Sequence, residues 1–360
     1  MRFRRVVSLL VCLVFVVAGC GCGSKETPKA DGATINVAHQ PYYHGLPSYI
    51  AVKKGWDKEA GLKMNIQMYV SGPPQNEALA SDKWEVGVYG SVPAMLAALR
   101  YGASIIAVSN DESETNDLWV RPDSAILKVK GKNPKYPDIY GSAETLKGKT
   151  IMLTTASTGH YAAIATLRAI GVDEKDVKIV HMEQAQAMAA FEAGQGDIVQ
   201  LWAPFGYIAE GKGWKKISSG QKAGVMIPGL VVASKKAMEN PEKVAKWLGL
   251  YMQGLQEMKA NPAESVKFLA DYYKENGQTL DEKALKQEFA LRPLFTVKEQ
   301  IALFERKDGG FSKIEQDMKA LADFFVQQGR IKPEEKEKLL RSGLITDRIL
   351  RLVDAKQQKK

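Results

Sequence analysis

Trp84-Glu85-Val86-Gly87-Val88-Tyr89-Gly90-Ser91-Val92-Pro93-Ala94 passes from an apolar β-type run into a helical one through two small residues. The stretch predicts a strand over Glu85–Tyr89 and a helix over Val92–Arg100, joined at Gly90-Ser91. Two further junctions have the same form. They are Tyr42-Tyr43-His44-Gly45-Leu46-Pro47-Ser48 and Thr154-Thr155-Ala156-Ser157-Thr158-Gly159-His160-Tyr161. Each presents unpaired backbone N–H groups and the positive end of a helix dipole, so each can hold a small anion without a formal cation. One such junction alone is ordinary capping. Three of them, at the carboxyl ends of strands where open α/β sheets bind ligands, point to a cleft.

Outward from these junctions, β-type and helical runs alternate from residue 34 onward, the pattern of an α/β protein with largely parallel sheets. Strands are expected at Thr34–His39, Lys63–Val70 and Ser104–Val108, with helices at Gly45–Gly61 and Gln75–Ser81. A second lobe follows, with strands at Lys149–Leu153, Val177–His181 and Asp197–Trp202. Its helices are expected at His160–Ile170, Ala185–Ala193 and Pro204–Gly211. Gly229–Ser234 makes one more strand, after which the signals are helical. Asn240-Pro241 and Asn261-Pro262 each place an N-cap before a proline, and Asn261 with Glu264, Thr296 with Glu299 and Ser312 with Glu315 have capping-box spacing. The expected organisation is lobe I over 34–119, lobe II over 120–225, a return strand and helical tail of lobe I over 226–350, and a charged terminus over 351–360. The crossings are expected near Trp119–Ser124 and Met226–Val232.

The 360 residues are 45% hydrophobic and 25% charged, which excludes a disordered chain and a multi-pass membrane protein. The net charge of +9 includes Arg2, Arg4 and Arg5. No stripe of basic residues interleaved with aromatics accompanies it, so nucleic acid is a poor partner. Met1–Arg5 is a cationic start, Val6–Val17 is almost wholly apolar, and Val17-Ala18-Gly19-Cys20 closes the segment with small residues before a cysteine. Residues 1–19 therefore read as a signal peptide, and Cys20 as the lipidation site. Residues 20–33, rich in Gly, Lys, Pro and Ser, form a tether. The three cysteines, Cys12, Cys20 and Cys22, all precede the folded body, which needs no disulfide.

No catalytic constellation emerges. His39 and His44 are five residues apart across Pro41 and share no helix face, and no HExxH, CxxC or calcium-loop pattern is present, so neither a metal nor another cofactor is expected. Tyr89-Gly90-Ser91-Val92-Pro93 lacks the last glycine of a hydrolase elbow, and the glycines compose no phosphate loop.

Leu46-Pro47-Ser48, Ala51 with Gly55-Trp56, Ser71-Gly72-Pro73-Pro74 and the stretch Trp84–Ala94 follow one another in an order that resembles a known family. Leu146-Lys147-Gly148-Lys149, Ala189-Ala190-Phe191 with Gly194 and Asp197, and Leu201-Trp202 with Pro204 complete it. The chain resembles the extracytoplasmic solute-binding lipoproteins of ATP-driven importers in the nitrate, sulfonate, taurine and bicarbonate branch. That resemblance implies a two-lobed periplasmic binding protein fold of type II, no enzyme activity, and a monomer that hands its solute to an ABC permease in the inner membrane. It also implies a lipid anchor at Cys20 in the cell envelope and a small organic anion as solute, an aliphatic sulfonate or taurine-like compound. Nitrate, bicarbonate and a thiamine pyrimidine precursor are the alternative solutes. An enzyme of the related thiamine-pyrimidine type would carry a cysteine-rich motif, which the body lacks.

Carried onto this sequence, the anionic head falls to Ser91, Ser157, Thr158 and His160, with Gly90 and Gly159 letting the backbone approach. Trp202 walls the organic part, and Tyr42, Tyr43 and His44 cover it. Family members often carry an Asp, suited to an ammonium group, where this chain has Ala203, a departure that weighs against taurine. Asp111, Glu112, Glu114 and Asp117, near the cleft end of a first-lobe strand, are the other candidates to receive a cation. The aromatics favour an organic solute, because a bare inorganic ion has no apolar surface to cover.

Overall fold

The computed structural model describes residues 33–358. The expected signal peptide, Cys20 and all of the tether but its last residue lie outside the described residues, as do the final two residues of the charged terminus.

Among the described residues, ten strands build two five-stranded sheets. In the first lobe β1 (Ala33–His39), β2 (Leu62–Met68), β3 (Val86–Gly90) and β4 (Ser104–Asp111) are laid down in sequence. The second sheet takes β5 (Asn116–Val120), β6 (Thr150–Leu153), β7 (Lys178–His181), β8 (Ile198–Trp202) and β9 (Lys215–Ser219). The chain then returns to the first sheet with β10 (Pro228–Ala233). The orders are β2-β1-β3-β10-β4 and β7-β6-β8-β5-β9. In each sheet the strand next to one edge runs against both neighbours: β10 is antiparallel to β3 and β4, and β5 to β8 and β9. The mostly parallel two-lobed architecture expected from the sequence is the one observed.

The crossing to the second lobe lies between Asp111 and Asn116, ahead of the expected Trp119–Ser124. The reason is β5, whose Leu118, Trp119 and Val120 are buried in the second sheet rather than spent on a connection. The return runs between Ser219 and Pro228. The single helix expected over Gly45–Gly61 is two, Leu46–Lys53 and Trp56–Glu59, because Gly55 at φ 76° leaves the helical region between them.

The helical tail seals the exposed edge of the first sheet, where β4 would otherwise offer unpaired backbone groups. Gln300 Oε1 accepts the Val108 amide at 2.9 Å, and Leu294 and Ile345 form bridges to Asn110 and Ile105. The tail also reaches the second lobe. The helix Lys313–Gln327 sets Phe324 edge-on against Tyr161 at 4.7 Å, and Arg168 stacks on the same ring at 4.2 Å. Among the described residues no helix is long and apolar enough to cross a membrane.

Candidate functional site

The three junctions read from the sequence meet between the lobes. Strand β3 ends at Gly90 and the helix Ser91–Tyr101 begins at once; opposite, β6 delivers the chain to Ser157 and the helix Thr158–Ala169. A narrow cavity of about 40 Å³ lies between them, room for about three waters. The lobes touch around it. A Cβ added at Gly90 would lie 2.1 Å from Thr158 Oγ1, so only glycine allows this approach. The Ser71 hydroxyl donates to Glu183 Oε1 at 3.0 Å across the mouth, and Tyr42 stands edge-on to Trp202 at 5.8 Å. The arrangement is a closed cleft.

Of the residues singled out from the sequence, Tyr42, His44, Gly90, Ser157, Thr158 and Trp202 line the cavity. Tyr42 is fixed by donating to the Val70 carbonyl at 2.9 Å. Thr158 Oγ1, Trp202 Nε1 and His44 Nδ1 are buried without hydrogen-bond partners among the described residues, which leaves polar capacity for a solute. Burial holds His44 well below the usual histidine range, with His39 and Arg292 adding to the effect, so its ring is neutral. Burial likewise pushes His39 down to about 3.

Four of the residues singled out from the sequence lie off the cavity wall. Tyr43 is turned into the core, with Phe289 edge-on at 5.2 Å, and does not cover the cavity. Ser91 is buried inside the first lobe with its hydroxyl unpartnered, off the cavity wall. Gly159 faces the Gln200 side chain within its own lobe, where an added Cβ would come within 2.1 Å. His160 is turned the other way, its Nε2 3.3 Å from Glu174 Oε1, which Arg330 of the tail holds at 2.7 Å. Ser157 lines the cavity, but its hydroxyl is occupied: it donates to the Thr154 carbonyl at 2.6 Å and accepts the His160 amide at 3.2 Å. It is an N-cap that offers no free hydroxyl.

The acidic run divides in the same way. Asp111 accepts the Ser113 amide and hydroxyl within a turn, while Glu114 and Asp117 pair with Lys216 at 3.1 and 3.3 Å. Burial pushes the Asp117 carboxyl up to about 7 against the pull of Lys216. Glu112 alone of the four lines the cavity.

Sequence reasoning missed Arg292, a fully buried guanidinium on the cavity wall. It follows the helix Glu282–Ala290 and precedes Pro293, and the Asn110–Leu294 bridge fixes the segment against the end of β4. Its Nε stands 2.9 Å from Glu288 Oε2, its Nη1 3.8 Å from Glu112 Oε1, and its guanidinium 5.3 Å from the centre of the Tyr43 ring. Tyr273 in turn donates to Glu288 Oε1. Burial works against the charge of Arg292, but Glu288 and Glu112 outweigh it and the group stays cationic. Nothing around Leu291-Arg292-Pro293 distinguishes this arginine from the tail's other cations.

The NMT1/THI5-like family profile matches residues 42–265, which carry all of both lobes' cavity contacts except Gln40 and Arg292. The chain belongs to that family. A Brachyspira hyodysenteriae relative, described as an ABC transporter periplasmic binding protein, is 32% identical over 324 residues, 90% of each chain. A Bacillus subtilis relative described as an aliphatic sulfonates-binding protein is 28% identical over 276 residues, covering 74% of this chain and 78% of its own. The alkanesulfonate-binding protein of Xanthomonas axonopodis pv. citri, solved bound to MOPS, superposes with a TM-score of 0.69 at 19% identity, covering 88% of this chain and 99% of its own. The last likeness establishes the periplasmic binding protein fold. This member of the NMT1/THI5-like family is a solute-binding protein of the periplasmic type and not an enzyme.

Proposed function

We propose that the protein is the lipid-anchored solute-binding component of an ABC importer, and that its solute is a small organic anion of the sulfonate class. The observation that carries this reading is the interlobe cavity itself. It combines apolar walls from Tyr42 and Trp202 with the helix start at Thr158 and the Arg292 guanidinium. The aromatic edges suit the carbon skeleton of an organic molecule, and the helix start and guanidinium suit its acidic oxygens. The names of the Brachyspira and Bacillus relatives support the importer and the sulfonate. The cavity as it stands has room for about three waters and its wall is shared between the lobes, so we expect the lobes to part to admit a larger solute and to close again around it.

Mass spectrometry of small molecules released from the purified protein, followed by titration calorimetry with alkanesulfonates, tests the solute. Release of a sulfonate and saturable binding are expected; absence of both overturns the assignment. Cys20 is the anchor, and Cys20→Ala should abolish metabolic labelling with a palmitate analogue. Equal labelling of wild type and variant would remove the lipid anchor from the proposal.

A further inference from the structure

Arg292 and Glu112 come from opposite ends of the architecture, one from the helical tail and the other from the crossing between the lobes. Both reach the same cavity wall. Glu288 already stands 2.9 Å from the guanidinium, and Tyr273 holds Glu288 in place. Arg292 thus has one carboxyl at contact distance, and Glu112 adds a second at 3.8 Å, beyond hydrogen-bond reach; burial pushes both carboxyls above their usual range and the guanidinium pulls them back. His44 lies on the same wall with its ring neutral. A plain anion entering this space meets no net positive charge. A solute with an acidic group and a donor nitrogen matches both charges at once, because its anion faces the guanidinium while its nitrogen compensates Glu112.

We propose that Arg292 and Glu112 form a paired recognition site: Arg292 receives the solute's acidic oxygens and Glu112 receives a donor nitrogen of the same molecule. This rests on the organic-anion reading above and narrows it to dipolar solutes whose two poles lie a few bonds apart. It also makes the tail part of the binding site.

The test is titration calorimetry of the purified protein with ethanesulfonate and 2-aminoethanesulfonate, which differ by the donor nitrogen. Wild type should bind the aminated probe at least about tenfold more tightly. Glu112→Gln, nearly isosteric, should erase that preference, chiefly by weakening the aminated probe, while ethanesulfonate, freed of a neighbouring carboxyl, binds no more weakly than to wild type. Arg292→Lys should weaken both probes, since a point charge replaces a planar fork. Melting curves accompany both variants, and if Arg292→Lys fails to fold, the Glu112→Gln result decides alone. Equal affinity of wild type for the two probes, or a preference that survives Glu112→Gln, overturns the paired site and leaves the sulfonate reading standing. Failure of wild type to bind either probe overturns both.

Discussion

Gly90 closes β3 as the cap of its helix and Gly159 is the second residue of the helix that follows β6, and different things crowd them. Gly90 faces Thr158 across the cleft; Gly159 faces Gln200 inside its own lobe. The serines at the two helix starts differ as well. Ser157 is held by Thr154 and His160, whereas Ser91 has no partner among the described residues. The same local motif therefore serves the contact between lobes on one side and the packing of a single lobe on the other. Motif alone does not say which.

The sharpest way to break this comparison is at Gly90. Gly90→Ala puts a methyl 2.1 Å from Thr158 Oγ1 and 3.0 Å from its Cβ, so the lobes must stay apart. We expect solute affinity to fall by about tenfold or more, which is about 1.4 kcal/mol. Small-angle scattering should show a larger radius of gyration than wild type at saturating solute, and unchanged affinity and scattering would separate Gly90 from closure. Gly159→Ala should do the reverse. Overpacking against Gln200 should cost about 1–3 kcal/mol of stability in denaturant titration, with the affinity of the folded fraction unchanged.

Ser157→Ala comes next and sharpens the distinction between cap and contact. Loss of the cap should cost about 1 kcal/mol of stability with affinity little altered. A tenfold affinity loss at unchanged stability would instead mean that the hydroxyl leaves its cap to meet the solute. The smallest effect is expected at Glu174, through which the second junction, by His160, is tied to the tail. The hydrogen bond from His160 and the nearby Arg330 hold the Glu174 carboxyl below its usual range although burial opposes them. Its contribution is therefore fully present above the ordinary carboxyl pKa and fades as pH falls through the lowered value. Glu174→Gln should flatten the acid limb of the melting temperature against pH, and an acid limb like that of wild type would show the link to be idle.

Much of this architecture was legible because β1, β3 and β6 are apolar runs that lead into helices, a pattern that forces alternation of strand and helix. The strands that escaped notice are β5 and β9. Asn116-Asp117-Leu118-Trp119-Val120 opens on polar residues, and Lys215-Lys216-Ile217-Ser218-Ser219 carries lysines on a sheet edge. β5 has only the three-residue apolar run Leu118-Trp119-Val120 and β9 a single Ile217, and their pairing is decided by partners far away in sequence. At the site the junctions were visible, because strand-to-helix turns are local events. The orientation of His160 and Tyr43 was not, since a neighbour in another element, Glu174 in one case and Phe289 in the other, sets each ring. Arg292 was hidden for the same reason, being placed by Asn110 and Glu288.

The position of β10 has a consequence for the order in which the molecule can assemble. All five strands of the second sheet lie within residues 116–219, so that sheet can complete from one continuous stretch of chain. The first sheet begins at Ala33 but lacks the strand between β3 and β4 until Pro228–Ala233 becomes available. During vectorial synthesis or export the amino-terminal lobe must wait, open along its middle, while the lobe encoded after it is already able to close. Its long-range pairing makes it the slow partner in folding, and the interval before β10 arrives is when its exposed strands are most available to chaperones or to misassociation.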